Sequence, residues 1–202
     1  VTHDVDPELL KTNFNVHDIL KDNTVERNRE INMSDRLPYA ICLWNIEGNL
    51  NIGMSIRTAC NLGAERVFVI GRKHYDKRSC VGTNHYLPIE VVKAYNFDKQ
   101  EYDLNVFWLT MFHYGYRPVF IETGGVQSIC SGFFDLHDYW SSETKPCLVF
   151  GSESEGIPRA LLESENSKIY SIPQYGVIRS FNVSASVAIA CWEFVDKGTR
   201  RK

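Results

Sequence analysis

No three of the thirteen glycines fall at the i, i+2, i+5 spacing of GxGxxG, so a glycine-turn dinucleotide site is excluded. Gly48 with Gly53, and Gly151 with Gly156, have the outer spacing of a P-loop. Met54 and Ile157 follow them where a phosphate-binding lysine would stand. There is no GxSxG nucleophile elbow. The six histidines are never four apart, which excludes a HExxH zinc helix, and no cluster has metal-ligand spacing. None of the six cysteines forms a CxxC pair, so free thiols in a reducing, cytoplasmic compartment are expected. No apolar run approaches the roughly 20 residues that cross a bilayer, so no membrane partner is expected. An excess of positive charge is also missing. The 22 Lys and Arg against 25 Asp and Glu leave −3, which rules out a wholly basic nucleic-acid binder but not a local basic patch.

The 202 residues are 44% hydrophobic and 23% charged, enough for one domain of ordinary size with a buried core. Residues 1–38 are polar and read as an arm, either packed on the domain or on RNA, or partly disordered. Val16, Ile19 and Leu20 give that arm a faint helical spacing. Residues 39–202 read as the domain. Apolar runs at 39–44, 66–70, 89–95, 118–122, 147–150 and 168–172 are strand-like. Between and after them, helical periodicity appears at Ile52, Ile56, Ala59 and Leu62, at Leu104 to Phe112, and at Val183 to Phe194. Strands alternating with helices predict an α/β fold with a largely parallel sheet and helices on both faces. Ligands in such sheets bind beyond the carboxyl ends of the strands. The loops after 39–44, 147–150 and 168–172 are therefore the places to look.

Three segments there carry polar groups. In NIGMSIRTACNLGA (51–64), Arg57 is placed on the first turns of a helix, where an anion is favoured. Asn51 equally suits a helix cap, and Arg57 a surface ion pair. In LVFGSESEGIP (148–158), an apolar strand runs into two carboxylates between glycines, which suits a close-approaching ligand or an ordinary turn. In IPQYGVIRSFNVSASVAIACWEF (172–194), Ser180 and Asn182 precede an apolar helix, as caps or as site residues.

Singly these segments say little. Their order resembles the three motifs of the SpoU family of the SPOUT superfamily, RNA ribose 2′-O-methyltransferases. The first motif is matched by Asn51, Gly53 and Arg57-Thr58-Ala59. The second is matched by Gly151, Glu153, Gly156 and Ile157. The third is matched by Ile172-Pro173, Gly176, Ser180 and Asn182-Val183-Ser184. The resemblance covers about residues 39–195. Gly176 to Ser180 further resembles the branch that methylates tRNA guanosine-18 in eukaryotes.

The resemblance implies a carboxyl-terminal deep trefoil knot over roughly residues 147–195. It implies S-adenosylmethionine held by Phe150, Gly151, Ser152, Gly156, Ile172, Pro173, Gly176, Ser180 and Asn182. It also implies a homodimer with a shared active site, and catalytic roles for Arg57, Asn51, Glu153, Ser180 and Asn182. The expected substrate is tRNA. Ribosomal RNA is the alternative, as is a non-catalytic RNA-binding module on the same fold. No metal is implied. For RNA contact the residues themselves point to GRKHYDKR (71–78), with Arg72, Lys73, Lys77 and Arg78, and to Arg200, Arg201 and Lys202, although a basic run can also be a solvated loop.

Overall fold

The structure is a computed structural model that describes residues 15–71, 75–96, 98–125, 127–132, 144–165 and 167–199. Seven strands form one sheet: β1 (Leu37–Trp44), β2 (Ala64–Ile70), β3 (Ile89–Val92), β6 (Tyr116–Ile121), β7 (Gln127–Ser128), β8 (Lys145–Phe150) and β9 (Lys168–Ser171). Their order is β3-β2-β1-β8-β6-β9-β7, and every pairing is parallel. Alternation along β1 splits the core. Tyr39, Ile41 and Leu43 face one layer, and Ala40, Cys42 and Trp44 the other. Both faces are covered, so β1 reads as an unbroken apolar run.

The helices α2 (Asn49–Asn61) and α6 (Val183–Thr199) cover the first face. Ile52, Ile56 and Ala59 of α2 pack there with Val187, Ala190, Cys191 and Phe194 of α6. On the other face α3 (Leu104–His113), capped by Asp103, buries Phe107 and Met111. The predicted strand over 89–95 is shorter than expected. β3 stops at Val92 because its partner β2 ends opposite, at Ile70. Tyr95–Asn96 (β4) then pairs antiparallel with Glu101–Tyr102 (β5).

Within the described residues, the arm packs against the domain. The faint spacing at 16–20 yields only a 3₁₀ turn at Asp18–Leu20. The helix of this region is α1 (Val25–Ser34), whose first turn is capped by the Thr24 hydroxyl. Arg29 and Asn32 donate from α1 to the carbonyls of His85 and Tyr86, at 2.7 and 2.9 Å. Two further short helices among the described residues are α4 (Ile129–Gly132) and α5 (Arg159–Leu162).

The order in which strands are added reverses between β1 and β8. The chain runs from β1 outward to β2 and β3, while β8, β6 and β9 lie on the opposite side. The polar turns that follow β1, β8, β6 and β9 all leave the same edge, which is where such sheets bind ligands.

Candidate active site

Gly48 occupies the cap position of α2, so Asn51 stands inside the helix with its side chain unused for capping. It reaches instead to the turn after β8. Its amide donates to Glu153 Oε1 at 2.5 Å and accepts from Asn182 Nδ2 at 3.2 Å. A carboxylate only accepts, so Glu153 fixes which end of the Asn51 amide faces it. The second Glu153 oxygen accepts from the Glu47 backbone N–H at 3.3 Å, and the Ser154 hydroxyl donates to the Glu47 carboxylate. Asn182 also caps α6, its Oδ1 accepting from the Ser184 N–H at 2.9 Å and hydroxyl at 2.6 Å. The capping reading of Asn182 is realised at the oxygen end of its amide, while the nitrogen end reaches Asn51.

The turn after β8 folds back on itself. Gly156 N–H donates to the Ser152 carbonyl at 3.0 Å, and Ser152 and Gly156 form an isolated bridge. A Cβ on Gly151 would run into the backbone of Gly156 and Ile157. Gly156 has φ +69°, which a side chain would resist. The two glycines are therefore requirements of this turn.

A cavity of about 670 Å³ opens beside it, a size suited to a nucleoside ligand. Of the residues expected to hold a cofactor, Phe150, Gly151, Ser152, Gly156, Ile172, Ser180 and Asn182 line it, as does Glu153. Pro173 and Gly176 do not. Gly176 is exposed, with open space where a Cβ would point, because the 175–180 loop runs out from the sheet. Ile121, Glu122, Thr123 and Arg179 line the cavity and were not foreseen. Glu122 follows an apolar strand and precedes Gly124-Gly125, a pattern that by itself does not set it apart from a surface glutamate.

Arg57 is not brought to this cavity. The expectation that it sits on the first turns of its helix is corrected, since α2 begins at Asn49 and Arg57 is in its third turn. Six residues from Asn51, it points roughly 240° around the helix. It lines a second cavity of about 690 Å³ between α2 and the arm, beside His17, Lys21, Asn32, Asn61 and Tyr86.

Of the basic run, Arg72 and Lys73 lie outside the described residues, as do Arg200, Arg201 and Lys202. Arg78 pairs with Asp76 at 2.6 Å, and the guanidinium holds the Asp76 carboxyl below its ordinary range. Lys77 begins the 3₁₀ turn Lys77–Cys80.

All six cysteines are free. Burial raises the Cys42 and Cys147 thiols and pushes Cys191 up to about 12. Among the described residues no three His, Cys, Asp or Glu side chains could together hold a metal, and no helix is long and apolar enough to cross a membrane.

Comparison with known proteins gives a consistent picture. The chain is 43% identical over 80 residues to the mouse (Mus musculus) tRNA (guanosine(18)-2′-O)-methyltransferase TARBP1, a stretch covering 40% of this chain and 5% of that protein. The fold matches the A. aeolicus TrmH/SpoU tRNA modifying enzyme with a TM-score of 0.65 at 18% identity, over 88% of this chain and 83% of that one. It also matches the Streptomyces viridochromogenes methyltransferase AviRb, solved with AdoMet, with a TM-score of 0.63 at 21% identity, over 83% and 64%. Residues 38–192, most of the chain and all of the convergent turns, match the SpoU rRNA methylase family, and the protein belongs to that family.

Proposed function

We propose that this chain transfers a methyl group from S-adenosylmethionine to a ribose 2′-hydroxyl of tRNA, working as a homodimer. The observation that carries the reading is the Asn182–Asn51–Glu153 relay, which joins all three motif turns at the mouth of one cavity. The cavity suits the cofactor. Ile121, Phe150, Ile157 and Leu162 offer apolar surface for an adenine, while Glu122, Ser180 and Asn182 offer polar partners for the rest. When bound, S-adenosylmethionine supplies an electrophilic methyl on a sulfonium.

The residues of the chain do the positioning. A 2′-hydroxyl is a poor nucleophile, so it must be held in line and its developing negative charge stabilised. Arg57 suits that task. A guanidinium offers five N–H donors and no acceptor, so its fork clamps phosphate or alkoxide oxygen and does not serve as a general base. Asn51, Glu153, Ser180 and Asn182 shape the receiving end.

Arg57 lines a different cavity from the one that suits the cofactor, which supports a site shared across a dimer. Leu50 and Met54 on α2 and Trp192 on α6 are exposed apolar side chains that suit such an interface. The reading includes a knot over 147–195, supported by β9 lying between β6 and β7, and by Gly125, whose Cβ would sit 2.8 Å from the Tyr170 backbone. It also includes an arm over 1–38, a domain over 39–202, and a reducing, cytoplasmic setting, which suits six free thiols. The choice of tRNA rests on the mouse relative, of whose length this chain spans a small part.

Tritiated methyl transfer to bulk tRNA and bulk rRNA, followed by alkaline hydrolysis, tests the chemistry. A 2′-O-methyl group blocks cleavage at its own linkage, so a labelled resistant dinucleotide from tRNA is expected. Label only in rRNA would move the substrate. Transfer to neither RNA would leave a binding module.

A further inference from the structure

Glu122 belongs to none of the three motifs, yet its carboxylate joins two of the turns that wall the cavity. It stands immediately after β6, at the ligand-binding edge of the sheet. Oε1 accepts from the Thr123 N–H at 2.8 Å and from the Thr123 hydroxyl at 3.1 Å. Oε2 accepts from the Ile157 N–H at 3.1 Å, on the turn after β8. A Cβ on Gly156 would lie 2.9 Å from that same oxygen. The second glycine of the motif turn thus leaves room for a carboxylate that arrives from another strand.

Each carboxylate oxygen has about two acceptor positions. Oε1 has both filled, and Oε2 has one filled and one left. No lysine or arginine forms an ion pair with Glu122 among the described residues. A negative group lining a ligand cavity, with its orientation fixed and one acceptor position spare, suits a hydroxyl donor. Hydrogen bonds to an ionised acceptor are the strong kind.

We propose that Glu122 reads the ribose diol of the adenosyl group, accepting a hydroxyl at Oε2 while its other bonds hold the wall of the cavity. This rests on the cavity being the S-adenosylmethionine site. Glu122 is then a cofactor-binding residue contributed by a strand end outside the recognised motifs.

The test is calorimetric titration with S-adenosylhomocysteine and with its 2′-deoxy and 3′-deoxy forms, on the wild-type chain and on Glu122→Gln. We expect wild type to bind at least one deoxy form about ten- to hundred-fold more weakly than the parent. Glu122→Gln should lose a similar factor for the parent and little more for that deoxy form. In turnover, KM for S-adenosylmethionine should rise while KM for RNA and kcat stay within a few fold.

Three results overturn the assignment. The first is wild type binding all three ligands equally, a reading that needs no variant to fold. The second is Glu122→Gln losing equal factors for parent and deoxy forms, the mark of a purely structural role. The third is a loss confined to S-adenosylmethionine, which would mean that Glu122 senses the sulfonium charge. No binding of S-adenosylhomocysteine by wild type would instead remove the methyl-donor reading, and this inference with it.

Discussion

Asn51 Nδ2 lies 2.5 Å from Glu153 Oε1, although 102 residues separate them along the chain. The contact exists because β1 and β8 are neighbours in the sheet, so the turn after one strand meets the helix after the other. It orients the Asn51 amide so that its oxygen is left for Asn182.

Asn51→Asp places a second carboxylate against Glu153. The pair is exposed, so the stability cost at neutral pH is small, roughly 1 kcal/mol or less. The new carboxylate has no N–H to donate to Glu153, so methyl transfer is expected to drop at least tenfold. Thermal melts and initial rates at neutral pH check both; an unchanged rate would count against the contact.

Arg57→Ala should abolish methyl transfer while leaving S-adenosylhomocysteine affinity within about twofold, since Arg57 does not line that cavity. Mixing Arg57→Ala chains with Asn182→Ala chains should restore about a quarter of wild-type activity through mixed dimers holding one intact site. No recovery on mixing would refute the shared site.

Gly53→Ala pits two known magnitudes against each other. Alanine in a helix interior gains about 1 kcal/mol over glycine. Here its methyl would overlap Ser79, side chain and backbone alike. Overpacking of this kind costs about 1–3 kcal/mol or more. A net loss of stability is expected in chemical denaturation, and a gain would show that the turn at Ser79 yields freely.

The buried thiols predict both reactivity and pH dependence. At pH 8, alkylation of the folded protein should label the exposed Cys130 and spare Cys42, Cys147 and Cys191 until it unfolds. Burial pushes the Cys191 thiol up to about 12 in the folded chain, against about 8.5 for a solvated thiol. Between those values the unfolded chain has released a proton that the folded chain keeps. Its contribution is complete below about pH 8.5 and is lost as pH rises toward 12. Replacing Cys191 with alanine should flatten the fall of the melting temperature above pH 9.

Reversing Arg72, Lys73, Lys77 and Arg78 together to glutamate should weaken RNA binding and reduce its dependence on salt. Because Asp76 already offsets Arg78, the contribution of Arg78 should be the smallest of the four. An unchanged salt slope in filter binding would reject this loop as the RNA contact.

The large elements were legible because burial imposes a period. β1, β2, β6, β8 and β9 read as apolar runs, and α2, α3 and α6 as stripes. The helix α1 was not, since its VERNREINMS sequence has no apolar stripe. It is held by the Thr24 cap and by side chains bonded to the 85–86 backbone, contacts with no period. Glu122 escaped notice for a related reason. One carboxylate after a strand resembles any surface glutamate until the Ile157 N–H is found on it.

The sequence by itself determined the alternation of strands and helices and the turns that carry polar groups, because each depends on neighbours a few positions away, while Asn51, Glu153 and Asn182 stood out only through the order of three motifs that resemble a family. The tertiary structure alone decided that these three touch, that Arg57 faces a different cavity, and that Glu122 joins the wall. Strand order and helix rotation bring together groups scores of residues apart, and neither leaves a local periodicity to read.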